Sequence, residues 1–120
     1  MTSIRFCVPR CAVGVNATYR VGRGRRVYKS PEANVYRDAV VMAAKRAMRG
    51  RDMLTGHVEA RIWFAYPTAR NDIDGAIKPT LDALNGIVWQ DDRQVIRLEV
   101  DKLKDTDAPR VEIEVVEVTP

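Results

Sequence analysis

The sequence has no long apolar run. The longest is Ala39 to Ala44, far short of the roughly 18 residues a membrane-spanning helix requires, so no transmembrane span is expected. Its opening, Ile4-Arg5-Phe6-Cys7-Val8-Pro9-Arg10, is broken by arginine and proline and does not read as a secretory signal. There are two cysteines, Cys7 and Cys11, and one histidine, His57. These are too few ligands for structural zinc. With no export signal, the cysteines read as ordinary thiols in a reducing cytoplasm. His57 opens a strand with no nucleophile beside it, which argues against histidine catalysis. No repeat and no low-complexity tract is present.

What is there fits one soluble domain spanning 1–120. A chain of 120 residues and 13.6 kDa buries enough surface for one core. A content of 46% hydrophobic and 30% charged residues excludes disorder throughout. The net charge of +4 is unevenly placed. Residues 1–50 hold 11 Lys/Arg against 2 Asp/Glu, and residues 51–120 hold 9 against 14. A basic half suggests a polyanionic partner, and an acidic half with clustered carboxylates suggests a metal. Solvated surface charge would explain the same asymmetry.

Alternation of Ile4, Phe6 and Val8 predicts a first strand at 3–8, ended by Pro9. A long loop rich in arginine and glycine follows over 9–26, then a short strand at 27–29. Ser30-Pro31 is a helix start, and Tyr36, Val40, Ala43 and Ala47 recur at helical spacing, giving a helix over 31–49 with Gly50 as its stop. Residues 57–66 alternate again. Ile73, Ala76, Ile77, Leu81 and Leu84 mark a second helix, capped by Asn71 or Asp72 and kinked at Pro79. Residues 95–103 and 110–118 read as an antiparallel hairpin about a turn at 105–109. The expected fold is α+β in the order β-(β)-α-β-α-β-β, with two main helices packed on one mixed sheet.

The stretch that bears chemistry is Asn71-Asp72-Ile73-Asp74-Gly75-Ala76-Ile77-Lys78, followed by Trp89-Gln90-Asp91-Asp92-Arg93-Gln94. Asp72 and Asp74 straddle a loop-to-helix junction, where both side chains can converge. Asp74 and Lys78 are four apart and would share a helix face. The Asp91-Asp92 pair enters the next strand and can supply a third carboxylate. Two unit charges at 4 Å repel by about 1 kcal/mol in water and about 4 at an effective dielectric of 20. A divalent cation removes that cost, and all-oxygen ligation suits Mg²⁺ or Mn²⁺. Such a metal beside a lysine suits phosphodiester hydrolysis. Each residue also has an ordinary reading: Asp72 as a cap, Asp91-Asp92 as turn residues, Asp74–Lys78 as a surface pair. Trp89 reads as a packing anchor for its loop.

Five arginines, Arg10, Arg20, Arg23, Arg25 and Arg26, lie on the glycine-bearing loop. Guanidinium forks match phosphate geometry, so the loop reads as a clamp on a nucleic-acid backbone, with Lys29 at its end. A basic loop with no dedicated partner is the plainer alternative.

The set Asp72-x-Asp74-x-x-x-Lys78, then Asp82-Ala83-Leu84, then Trp89-x-Asp91-Asp92-x-Gln94-Val95, resembles the RusA family of Holliday-junction resolvases of bacteria and their phages. The likeness extends to Asn16, Tyr19-Arg20 and Tyr36-Arg37 and covers nearly the whole chain. It implies a homodimeric, cytoplasmic, Mg²⁺-dependent endonuclease that binds four-way DNA junctions and nicks two strands symmetrically, with no organic cofactor and no membrane partner. It puts metal ligation on Asp72, Asp74 and Asp92, with Asp91 as the alternative third ligand. It puts the essential lysine on Lys78. Taken with the basic-loop reading, the DNA contacts are expected on Arg10, Asn16, Arg20, Arg23, Arg25, Arg26 and Lys29. This sequence departs from the family at Gly75, where asparagine is common. It departs also in a shorter Asp82–Trp89 segment, and in a proline-rich start reduced to Pro9-Arg10-Cys11. A non-catalytic binder of branched DNA or RNA on the same fold is the alternative from a different class. Such a binder gains nothing from carboxylates that repel a polyanion.

Overall fold

The computed structural model describes residues 2–14, 19–21 and 27–118, with the side chains of 19–21 and 27–29 left aside. Its elements are β1 (Ser3–Val8), β2 (Tyr19–Val21), β3 (Val27–Lys29), α1 (Pro31–Ala47), β4 (Val58–Tyr66), α2 (Ile77–Leu84), a 3₁₀ turn (Asp92–Gln94), β5 (Val95–Lys104) and β6 (Arg110–Glu117). The expected α+β fold with two helices and a mixed sheet is what the chain forms. No helix among the described residues is long and apolar enough to cross a membrane.

The main sheet has four strands in the order β1-β6-β4-β5. β6 runs antiparallel to both β1 and β4, while β5 runs parallel to β4. The expected β5–β6 hairpin does not form, because β4 lies between the two strands. Alternation identifies a strand but not its neighbour. β4, buried on most of its length, takes the centre, and the mostly exposed β5 takes an edge. The 105–109 link crosses the end of β4, where Asp105 N donates to Tyr66 O at 2.8 Å and Thr106 Oγ1 to Pro67 O at 3.3 Å. A second correction concerns 9–26, expected as one long loop. Within it, Tyr19–Val21 forms a strand paired antiparallel with Val27–Lys29.

One face of the sheet is apolar. Val8, Ile62, Phe64, Val111, Ile113 and Val115 are buried there with Tyr36, Val40 and Ala44 of α1 and Leu84 of α2. Full burial of such a side chain stabilises by about 1.5–3 kcal/mol. The opposite face is open and charged. Arg5 reaches Glu112 and Glu114, and Arg61 reaches Glu99 and Asp101. Trp63 lies between the guanidinium groups of Arg5 and Arg61, 5.2 and 4.7 Å from its ring centre.

α1 starts as its sequence dictates. Ser30 Oγ accepts from Ala33 N at 3.1 Å, with Pro31 in the first turn. α2 starts later than expected. Neither Asn71 nor Asp72 caps it: the cap is Ala76, with no side-chain bond. Pro79 explains the delay. Its ring cannot follow a helical residue four positions back, and a start at Ile77 leaves Gly75 outside the helix. Pro79 then falls in the first turn, where backbone N–H groups have no intrahelical partner, and the expected mid-helix defect disappears.

Candidate functional site

α2 joins two parallel neighbours, β4 and β5. This βαβ passage carries every residue of the acidic constellation, in the loop before α2, on α2, and in the turn before β5.

The loop before α2 is fixed by backbone contacts. Lys102 Nζ of β5 donates to Asn71 O at 2.7 Å and to Ala69 O at 3.4 Å. Gly75 meets Gly14 backbone to backbone, such that a methyl group added to Gly14 would lie 3.4 Å from the Gly75 carbonyl. The glycine that departs from the family pattern is therefore where the segment after β1 touches the loop holding the first two aspartates. Asp72 and Asp74 are both exposed in this loop. Asp74 precedes the helix, and its carbonyl accepts from Ile77 N at 3.2 Å. It does not share a helical face with Lys78.

On α2, Lys78 instead bonds one turn ahead. Its Nζ donates to Asp82 Oδ1 at 2.8 Å and lies 3.9 Å from Asp92 Oδ2. Asp82 holds the Lys78 pKa above its ordinary value, first by this bond and then by charge. The helix is anchored underneath. Thr80 Oγ1 donates to Ala76 O at 2.7 Å, which uses its one hydrogen. The Tyr36 hydroxyl of α1 must therefore be the donor in its 2.6 Å bond to Thr80 Oγ1. Burial pushes the Tyr36 phenol well above its usual pKa, which keeps it a donor.

The third segment is set by a buried tryptophan and a capping box. Trp89 is fully buried, its indole N–H donating to Asn85 Oδ1 at 2.7 Å, so it is the expected packing anchor. The Asp91 carboxylate accepts from Arg93 N at 3.0 Å, while Gln94 Oε1 accepts from Gln90 N and Asp91 N. Gln94 Nε2 donates to Leu54 O and Gly56 O, at 3.0 and 2.9 Å. The turn thus directs Asp91 to its own backbone and Asp92 toward Lys78. Burial and the adjacent Asp82 carboxyl raise the Asp92 pKa, while Lys78 opposes the shift.

The structure therefore brings together Lys78, Asp82 and Asp92, with Asp72 and Asp74 exposed on the loop leading into the same helix. Among the described residues, no three His, Cys, Asp or Glu side chains converge closely enough to hold a metal ion. The donor chemistry still suits a hard cation. The candidate carboxylates are at least partly exposed, and Asp92 resists ionisation beside Asp82. Asp82 belongs to the Asp82-Ala83-Leu84 motif, and its i,i+4 spacing from Lys78 is the sequence signal for their pairing. Of the basic residues, Arg10 is exposed beside β1, while Arg20 and Lys29 lie on the paired strands β2 and β3. Asn16, Arg23, Arg25 and Arg26 lie outside the described residues.

One family model covers most of the chain. The family described as Endodeoxyribonuclease RusA matches residues 12–116. A curated relative, the uncharacterized protein YqaN of Bacillus subtilis (strain 168), is 42% identical over 53 residues, covering 44% of this chain and 37% of that protein.

Proposed function

The chain belongs to the RusA endodeoxyribonuclease family, and from that premise we propose that it is a Mg²⁺-dependent endonuclease that resolves four-way DNA junctions by paired symmetric nicks. The observation that carries this reading is Lys78. Its ammonium group sits 2.8 Å from Asp82 and 3.9 Å from Asp92, on a helix whose approach loop exposes Asp72 and Asp74. A lysine among carboxylates beside a basic segment fits a phosphodiester that must be both held and broken.

In this reading Asp72, Asp74 and Asp92 hold Mg²⁺, with Mn²⁺ as a substitute. An ion held there would neutralise phosphate charge and, by lowering the pKa of its bound water, would supply a hydroxide nucleophile near neutral pH. The chain's own residues do the rest. Asp82 holds Lys78 extended and protonated, so that its charge meets the negative charge gathering on the phosphate in the transition state. The capping box of Asp91 and Gln94 points Asp92 into the site. Arg10, Asn16, Arg20, Arg23, Arg25, Arg26 and Lys29 position the DNA backbone without reading bases. Two copies of the chain match the approximate two-fold symmetry of a junction. Action on DNA fits a cytoplasmic protein.

The test is nicking of a synthetic four-way junction against a linear duplex of the same arms, with and without Mg²⁺. Junction-selective nicking that needs the metal supports the reading. Tight junction binding without cleavage under any divalent ion contradicts it and favours a binding module, an alternative that the unconverged carboxylates keep in play.

A further inference from the structure

The end of β1, the end of β4 and the start of β6 lie at one end of the sheet. Val111 of β6 is level with Val8 of β1 and with Phe64 of β4. The loop that exposes Asp72 and Asp74 leaves β4 from this end. The segment after β1 leaves from it too, and meets that loop where Gly14 touches Gly75. Between this segment and the start of α1 lies a pocket of about 520 Å³, lined by none of the acidic residues of the site.

Three prolines from three separate segments line it: Pro9 after β1, Pro31 opening α1, and Pro109 before β6. A proline ring fixes its own backbone angle, so these walls are stiff. Val35 and Tyr36 of α1 add apolar surface, Val35 46% exposed and Tyr36 buried. Tyr36 is also the residue that bonds Thr80, two positions along α2 from Lys78. One buried hydrogen bond therefore braces the pocket against the helix of the site. The charged members of the pocket are Arg10 and Glu32.

Apolar walls, a volume of this size and few polar groups suit a small flat molecule. The surroundings decide which kind. The pocket lies in the half of the chain where 11 Lys/Arg stand against 2 Asp/Glu. That field draws in an anionic ligand, yet proline and valine walls accept only an uncharged surface. The occupant must be anionic outside the pocket and flat and neutral within it. A nucleotide in a strand is divided in this way. Its phosphate suits Arg10, its base faces stack on apolar side chains, and its base edge carries both donors and acceptors. Extruding a base costs least where the duplex is already disturbed, and a branch point is such a place.

We propose that this pocket receives one nucleobase extruded from a strand beside the branch point, so that the strand is held by a base as well as by its phosphates at the end of the sheet that carries the acidic loop. This rests on the junction-binding part of the preceding reading and on none of its metal chemistry.

The experiment replaces the nucleotides flanking the branch point of a synthetic four-way junction, one at a time, with 2-aminopurine, whose fluorescence is quenched in the stack and recovers on leaving it. Each junction is saturated with protein in the absence of divalent ions. With the native chain, fluorescence should rise severalfold at one nucleotide and stay low at its neighbours and in a linear duplex of the same arms. Val35→Met lengthens an exposed side chain across the pocket and keeps a good helix former. It should bind the unlabelled junction about as tightly, because the stacking gained in the pocket nearly offsets the stacking lost from the duplex. At saturation it should lose the rise. A native chain that does not bind the junction overturns this inference together with the junction reading. Binding with no bright nucleotide, or a bright nucleotide that Val35→Met leaves unchanged, overturns the pocket alone.

Discussion

The Tyr36 hydroxyl donates to Thr80 Oγ1 across 2.6 Å of buried core, tying α1 to the helix that carries Lys78. Thr80 Oγ1 passes its own hydrogen to Ala76 O. The two partners are therefore unequal. Tyr36→Phe removes a donor but leaves Thr80 bonded, and should cost about 0.5–1.5 kcal/mol. Thr80→Val leaves a buried phenol unpaired and should cost about 1–3 kcal/mol. Urea unfolding of both variants and the double variant checks this. Thr80→Val should be the worse, and the double should cost less than the two added together.

Lys78 separates two acids. Replacing it with glutamine leaves Asp92 beside Asp82 with no cation between them, which raises the Asp92 pKa further. A carboxyl whose folded pKa lies above its unfolded value loses stability as pH rises through that interval, because the folded state then holds more protons than the unfolded one. The metal-free Lys78→Gln protein should therefore melt below the native chain at pH 7 and regain the difference as pH falls toward 4. Thermal melts across pH 4–8 read this directly. Junction cleavage by the same variant should fall by about 10²-fold or more, with binding little changed.

Asp105 titrates in the opposite sense. Its carboxylate accepts from Ala108 N and Asp107 N and pairs with Arg110 at 2.7 Å, and these partners, the Ala108 bond foremost, lower its pKa. A lowered folded pKa gives stability that is present above the usual carboxylate value of about 3.9 and lost as pH falls through the folded value. Asp105→Asn should flatten the acid limb of the melting curve below about pH 4 and leave the alkaline limb unchanged. Melts of both proteins from pH 2 to 9 test it.

Gln94 uses both ends of its amide, accepting from Gln90 and Asp91 and donating to Leu54 and Gly56. Gln94→Glu keeps the acceptors but turns an oxygen toward two carbonyls. It should destabilise the fold by about 1–3 kcal/mol and lower cleavage by releasing Asp92 from its orientation, while Gln94→Met lacks the charge and should cost less in stability. Denaturant midpoints and cleavage rates of the two variants provide the comparison.

The sequence made some of this legible and hid the rest for physical reasons. Ser30-Pro31, the apolar spacing of α1 and the alternation of β4 are local signals, and the structure follows them. The neighbours of β5 and β6 are a long-range matter. Nothing in either strand reveals that β4 inserts between them. Pro79 was visible, but its meaning depended on where the helix began. Set in the first turn it is harmless and moves Asp72 and Asp74 off the helix. Which of Asp91 and Asp92 faces the lysine also needed three dimensions. Adjacent acids look alike in sequence, but the capping box turns the first to its own backbone and the second toward Lys78.

The central claim is that the acidic set around Lys78 breaks DNA rather than merely tolerating it. The most direct measurement sets binding against cleavage of a four-way junction for the native chain and Asp74→Asn in Mg²⁺. The account predicts that the native chain nicks two opposing strands, and that the variant binds as tightly or more tightly while nicking at least about 10²-fold more slowly. A variant that cleaves at the native rate, or a native chain that binds the junction and never cuts it, would contradict the account.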